Sequence, residues 1–163
     1  MREPDASEPR RLEEALDRRT FCASALLVGL AACGGGGYPA PPPASAPPPG
    51  GPLTTTDTKA GLLATPAGTV RDYRNLGNFF LIHDDAGIYA MTAVCTHMGC
   101  TVGAPIGTQI TCPCHGSQYD LNGGNTRGPA VMPLVHFRVS EASAGGPLVV
   151  DPTQTVGAAV RLT

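Results

Sequence analysis

From Val70 onward, apolar residues come in short runs separated by Gly, Pro, Asn and Asp. Runs of four to eight residues bounded by turn formers are the mark of strands rather than helices. The pattern predicts strands at 70–73, 78–82, 88–94, 109–111, 118–121, 134–139 and 148–150. Asp84-Asp85-Ala86-Gly87 joins the second and third as a hairpin turn. Nothing after Ala60 sustains a 3.6-residue period, and no internal repeat is visible. The expectation is an all-β, antiparallel, loop-rich domain. His83, at a strand end beside Asp84, and His136, between Val135 and Phe137, are expected to be surface strand positions. Gly99, Gly116, Gly123 and Gly124 are expected in turns with positive φ.

The N-terminal third has a different pattern. Residues 1–21 are polar and of mixed charge, and an apolar run then extends from Ala23 to Cys33. A membrane-spanning helix needs about 20 apolar residues, whereas the apolar core of an export signal needs about 7–15. The run fits the second class. Leu30-Ala31-Ala32-Cys33 resembles the lipobox of bacterial lipoprotein precursors, which makes Cys33 the expected lipidated first residue of the mature chain. Arg18-Arg19 followed by Phe21 resembles the twin-arginine signal, which exports folded, cofactor-loaded proteins. Residues 1–33 are therefore expected to be an export signal and residues 34–53 a flexible tether. In 34–52, Gly and Pro occupy 14 of 19 positions, so no core can form there. Residues 54–163 are left as the folded domain.

Composition narrows the function. A net charge of −2 over 163 residues gives no basic field, which argues against nucleic acid as a partner. With no Trp and 5% aromatic residues, the core must rest on aliphatics and on cross-links. The six Cys supply candidates.

Four Cys and two His fall between Cys95 and His115, as Cys95-Thr96-His97-Met98-Gly99-Cys100 and Cys112-Pro113-Cys114-His115-Gly116-Ser117. Soft thiolates and imidazoles gathered this closely suit zinc or an iron-sulfur centre. Zinc sites favour paired cysteines within one tight turn. Here each loop offers both Cys and His, which suits a binuclear cluster with one iron on two thiolates and the other on two imidazoles. A structural zinc site and a two-disulfide domain with idle histidines remain as alternatives.

The motifs C-T-H-x-G-C and C-P-C-H-G-S resemble the cluster-binding signature of Rieske [2Fe-2S] proteins, and Gly128-Pro129-Ala130 is similar to the family's proline loop. The resemblance implies an antiparallel β domain with two cluster-binding loops and a [2Fe-2S] cluster. Cys95 and Cys112 would hold the inner iron, His97 and His115 the outer iron, and Cys100 and Cys114 would form a disulfide between the loops. Such a bond persists outside the reducing cytoplasm, in keeping with an export signal. Ser117 and Tyr119 stand in the family's G-S-x-Y segment as hydroxyl donors to cluster or ligand sulfur. Donors of this kind favour the reduced state and place the expected potential in the upper part of the roughly −150 to +300 mV Rieske range. Met91, Met98 and Met132 are expected to pack near the cluster, with Met98 covering it.

The function this implies is one-electron transfer by an exported protein on the periplasmic side, tethered to the membrane by lipid. A quinol or redox-enzyme donor and a cytochrome c-like acceptor are the expected partners. A Rieske subunit of a periplasmic molybdenum oxidase of the arsenite-oxidase kind is an alternative, as is the ferredoxin component of a Rieske oxygenase. No substrate site of its own is expected.

Overall fold

The computed structural model describes residues 50–163. The predicted export signal with Arg18-Arg19 and Cys33, and the tether up to residue 49, lie outside the described residues. Two sheets are present. A six-stranded sheet has the order β1 (Leu53–Thr58), β9 (Pro147–Val156), β8 (His136–Glu141), β4 (Gly87–Thr92), β3 (Phe79–Asp84), β2 (Thr69–Tyr73). A three-stranded sheet of β5 (Gln109–Thr111), β6 (Gln118–Asp120) and β7 (Asn125–Arg127) falls between β4 and β8 in the chain. Every strand pair is antiparallel. The expected all-β architecture is thus present, with two short helices, α1 (Lys59–Leu63) and α2 (Arg74–Gly77).

The β3–β4 hairpin is the common wall of two cores, which explains its nearly continuous apolar sequence. Phe80, Ile82, Tyr89 and Met91 face a core that also contains Cys95, Cys112, Ile110, Tyr119 and Ala130. Phe79, Leu81, Ile88 and Ala90 face the other, with Leu62, Phe137, Leu148 and Val150. Alternation along each strand sends neighbours to opposite sides. The turn is the expected one: Asp84 pairs with Gly87, and the Asp84 carboxylate accepts the Ala86 N–H at 3.0 Å.

The large sheet curls so that its end strands meet through side chains. The Tyr73 hydroxyl on β2 accepts the Thr56 N–H at 3.0 Å and donates to Asp57 Oδ2 at 2.7 Å, both on β1. Arg71 Nε lies 3.2 Å from Asp57 Oδ1.

Several elements differ from the expectation. β1 is Leu-Thr-Thr-Thr-Asp-Thr, too polar to read as a strand, yet Thr55 is buried and donates its hydroxyl to Leu148 O at 2.9 Å. β9 runs past Pro152 to Val156 because the residues after Asp151 bulge out of the ladder: Arg138 faces Asp151 but Phe137 faces Thr155. The Asp151 carboxylate holds the bulge, accepting from Thr153 N at 3.0 Å, Thr153 Oγ1 at 2.6 Å and Gln154 Nε2 at 2.7 Å. His136 is not an outward-facing position. It is 2% exposed, stacked on Tyr89 at 5.2 Å, with Nε2 2.9 Å from Asn122 O. His83 is half-buried on β3.

Candidate metal centre

The β4–β5 and β5–β6 connections fold the Cys/His segments into two turns with the same backbone pattern. In the first, the Cys95 N–H donates to Cys100 O at 2.8 Å and the Gly99 N–H to Cys95 O at 2.9 Å. In the second, the Cys112 N–H donates to Ser117 O at 2.8 Å and the Gly116 N–H to Cys112 O at 3.0 Å. Gly99 and Gly116 both have φ +74°, the left-handed conformation that closes such a return and that costs an L side chain about 1–2 kcal/mol. Gly123 has φ +80° as expected, but Gly124 has no positive φ. Gly124 instead lies against Asp120, where its N–H donates to Asp120 Oδ1 at 2.8 Å and a Cβ would strike the carboxylate.

The loops are joined to each other and to the large sheet. Cys100 and Cys114 form a disulfide, S–S 2.05 Å. The first loop closes with Val102 N–H to Ala93 O at 2.8 Å, and Arg74 Nη1 donates to Val102 O at 3.0 Å. Asp72 fixes Arg74 by an ion pair at 2.6 Å, and the hydrogen bond from that guanidinium holds the Asp72 carboxyl below its usual range.

Cys95 and Cys112 are free and buried, 2% and 1% exposed, whereas His97 and His115 are exposed. The imidazole centroids lie 4.9 Å apart, edge to face at 82°. Sulfur is therefore grouped inside and nitrogen outside. Burial raises the Cys95 thiol, but hydrogen bonds from the Tyr119 hydroxyl, the His97 N–H, Cys112 and Ser117 outweigh it and leave Cys95 below its ordinary value. Cys112 lies above its ordinary value because burial dominates, although the Cys114 and His115 N–H groups donate to it. Tyr119 Oη is 3.2 Å from Cys95 Sγ. The sulfurs of Cys100, Cys112 and Cys114 also lie within 4.8 Å of one another, but Cys100 and Cys114 are bonded together and offer no thiolate.

A third segment covers the turns. Its Gly128–Pro129 bond is cis. The Ala130 N–H donates to Ser117 Oγ at 3.0 Å, leaving the Ser117 proton for Cys95, and Thr96 Oγ1 donates to Met132 O at 2.7 Å. Thr96 also lies 3.1 Å from Tyr119 Oη. Its position between the motif residues Cys95 and His97 is the signal in the sequence for this role, whereas nothing in the sequence links Arg74 to Val102. Met91 is buried in the expected core, but Met98 and Met132 are not packed: they are 66% and 61% exposed, and Val131 is 86% exposed. Met98 follows His97 in the first turn and Val131 and Met132 lie in the covering segment, and all three side chains face solvent rather than a packed core.

The residues brought together fit a binuclear iron-sulfur group: two neighbouring buried thiols receiving backbone and hydroxyl N–H and O–H donors, with two imidazoles at the wet edge. A single tetrahedral zinc ion needs no such separation of sulfur from nitrogen. Among the described residues no helix is long and apolar enough to cross a membrane.

Residues 63–138 match the family model described as the Rieske [2Fe-2S] domain. The iron-sulfur subunit of the cytochrome b6-f complex of Prochlorococcus marinus (strain MIT 9215) is 42% identical over 84 residues, 47% of this chain and 47% of that protein. The corresponding subunit of Synechococcus sp. (strain WH7803) is 42% identical over 90 residues, 51% of each. The chain thus spans about half the length of these relatives. Among solved structures, the plasma membrane Rieske protein PetC3 from Synechocystis PCC 6803 matches with TM-score 0.39 and 27% identity, over 44% of this chain and 74% of that one. The paired turns and the family match together identify residues 63–138 as a Rieske [2Fe-2S] domain, whose cofactor is a [2Fe-2S] cluster.

Proposed function

We propose that the chain is a one-electron carrier between a quinol and a cytochrome c-like acceptor, exported and held at the periplasmic face of the membrane. Cys95 and Cys112 hold the inner iron, and His97 and His115 hold the outer one. The observation that carries this reading is the separation of two buried free thiols from two exposed imidazoles on disulfide-linked turns. When bound, the cluster accepts and passes on one electron.

The protein's own groups do the rest. Backbone N–H groups of His97, Cys114 and His115 and the hydroxyls of Tyr119 and Ser117 point positive charge at the ligand sulfurs, which favours the more negative, reduced state. The exposed imidazoles of His97 and His115 are where a donor's proton and hydrogen bond can be received. Met98, next to His97 in the chain, and Val131 and Met132 of the covering segment add exposed apolar surface, which supports docking into an apolar quinol site. The relatives' membership of a cytochrome b6-f complex supports a quinol-linked role.

Anchoring belongs to the same proposal. Cys33 carries lipid after export of the folded protein, residues 34–53 are the tether, and residues 54–163 form the head. The test is electron paramagnetic resonance of the dithionite-reduced protein together with a redox titration. A Rieske-type signal and a midpoint above about 0 mV that falls with rising pH are expected. A diamagnetic protein containing zinc, or a pH-independent midpoint between pH 6 and pH 10, would remove the reading or its quinol half respectively. Mass spectrometry of the membrane fraction is expected to find lipid on Cys33.

A further inference from the structure

The turn after β6 is held from three directions. Tyr89 on β4 donates its hydroxyl to Leu121 O at 2.7 Å. His136 Nε2 on β8 lies 2.9 Å from Asn122 O, and because a carbonyl can only accept, that nitrogen carries the hydrogen. Arg161 Nη2 donates to Asn122 Oδ1 at 2.8 Å. Arg161 belongs to the segment after β9, outside the matched Rieske residues 63–138.

That segment is itself fastened. Leu162 and Ile88 exchange both backbone hydrogen bonds, at 2.9 and 2.8 Å, and a Cβ on Gly87 would run into Leu162 O. Arg161 Nε donates to Asp84 Oδ2 at 2.8 Å, and Nη1 donates to Ala158 O at 2.7 Å and to Val160 O at 3.0 Å. Its guanidinium lies 3.8 Å from the Tyr89 ring centroid, and Tyr89 is stacked at 7° on His136. Arginine, tyrosine and histidine thus form one stack, and each layer bonds the 121–122 turn.

The turn begins two residues after Tyr119. β6 and both its neighbours are only three residues long, so their ladders hold little by themselves. The Tyr119–Cys95 contact, 3.2 Å, therefore depends on where the end of β6 is held. We propose that Arg161 is a positioning residue for the redox centre: through the stack on Tyr89 and His136, the C-terminal segment holds the 121–122 turn and keeps the Tyr119 hydroxyl against the Cys95 sulfur. This rests on the reading of Cys95 as a cluster ligand.

The experiment uses the full cluster-loaded chain and compares midpoint potentials of Tyr119→Phe, Arg161→Leu, Arg161→Lys and the double variant Tyr119→Phe/Arg161→Leu. Arg161→Leu is expected to lower the midpoint by less than Tyr119→Phe does, and to have no further effect in the Tyr119→Phe background. Arg161→Lys keeps the charge but not the fork that serves Asp84 and Asn122 together, and is expected to show part of the shift. An equal shift of Arg161→Leu in both backgrounds means that its charge acts directly, and overturns the proposal. So does a fall in melting temperature with no change in midpoint. Should Arg161→Leu fail to retain the cluster, Asn122→Ala removes the same contact while leaving the Asp84 pair, with the same expected non-additivity and the same overturning results. A normal midpoint for Tyr119→Phe itself would place the failure in the donor role of Tyr119, upstream of Arg161.

Discussion

The Tyr119 hydroxyl lies 3.2 Å from the Cys95 sulfur and 3.1 Å from Thr96 Oγ1, whose own proton is given to Met132 O. With its own proton engaged, Thr96 Oγ1 can only accept from Tyr119, so the one Tyr119 proton is shared between Thr96 Oγ1 and the Cys95 sulfur. A hydrogen bond to a charged acceptor is worth about 1.5–3 kcal/mol, and the reduced and oxidised states differ in only part of that. For a one-electron couple, a difference of about 1–2 kcal/mol corresponds to roughly 40–90 mV. Tyr119→Phe is expected to lower the midpoint by that amount with the cluster retained, as read by redox titration.

Ligand identity has a direct test. Alanine at Cys95, His97, Cys112 or His115 is expected to abolish the visible absorption of the cluster in purified protein. His83→Ala and His136→Phe are expected to retain it, because His83 sits on β3 and His136 is stacked away from the thiols on Tyr89. Retention by His97→Ala, or loss in His83→Ala, would refute the assignment.

The Cys100–Cys114 bond closes a short loop, 14 residues in separation. A cross-link of about that span stabilises by about 3 kcal/mol in the chain-entropy view. Replacing both cysteines by alanine is expected to lower the melting temperature by roughly 10 °C or more and to speed loss of the cluster. Calorimetry and the decay of visible absorbance measure the two effects, and wild-type protein in reductant is expected to follow the variant.

His136 makes the domain sensitive to mild acid. Burial holds its pKa below 6.5, and the neighbouring Arg161 cation pushes the same way, against the Asn122 carbonyl and the more distant Asp120 and Asp84. The unfolded chain therefore binds more protons than the folded one below about pH 6.5, so stability falls as pH drops from there and levels off below the folded pKa. Urea unfolding between pH 7.5 and pH 5 is expected to show this slope, and His136→Phe to flatten it. Asp72 and Asp84, both held below 3.8 with arginine partners, add a separate loss at lower pH.

The site was legible because its groups are local. Cys95 to Cys100 and Cys112 to Ser117 each form one turn, so the spacing of residues carries the geometry. The hairpin at 84–87 was legible for the same reason. What escaped depends on distant contacts. His136 looked outward because it alternates with Phe137, but the sheet is covered on both faces there, by Tyr89 on one side and the second core on the other. Arg161 reaches Asn122 across 39 residues and Asp84 across 77. β1 escaped because Leu53 is its one apolar residue and a buried threonine hydroxyl helps to fix it, and β9 because Pro152 resembles a terminator but sits in a bulge.

The meeting of β1 and β2 through Tyr73, Asp57 and Arg71 has a colloidal consequence. Outer strands with free backbone groups invite a neighbouring molecule to pair with them. Here each outer strand of the large sheet turns towards the other behind a charged, hydroxyl-rich seam, and the small sheet offers only three-residue margins. Many copies can therefore share a confined space without zipping together, and opening that seam, for example with Tyr73→Ala, is where self-association would be expected to begin.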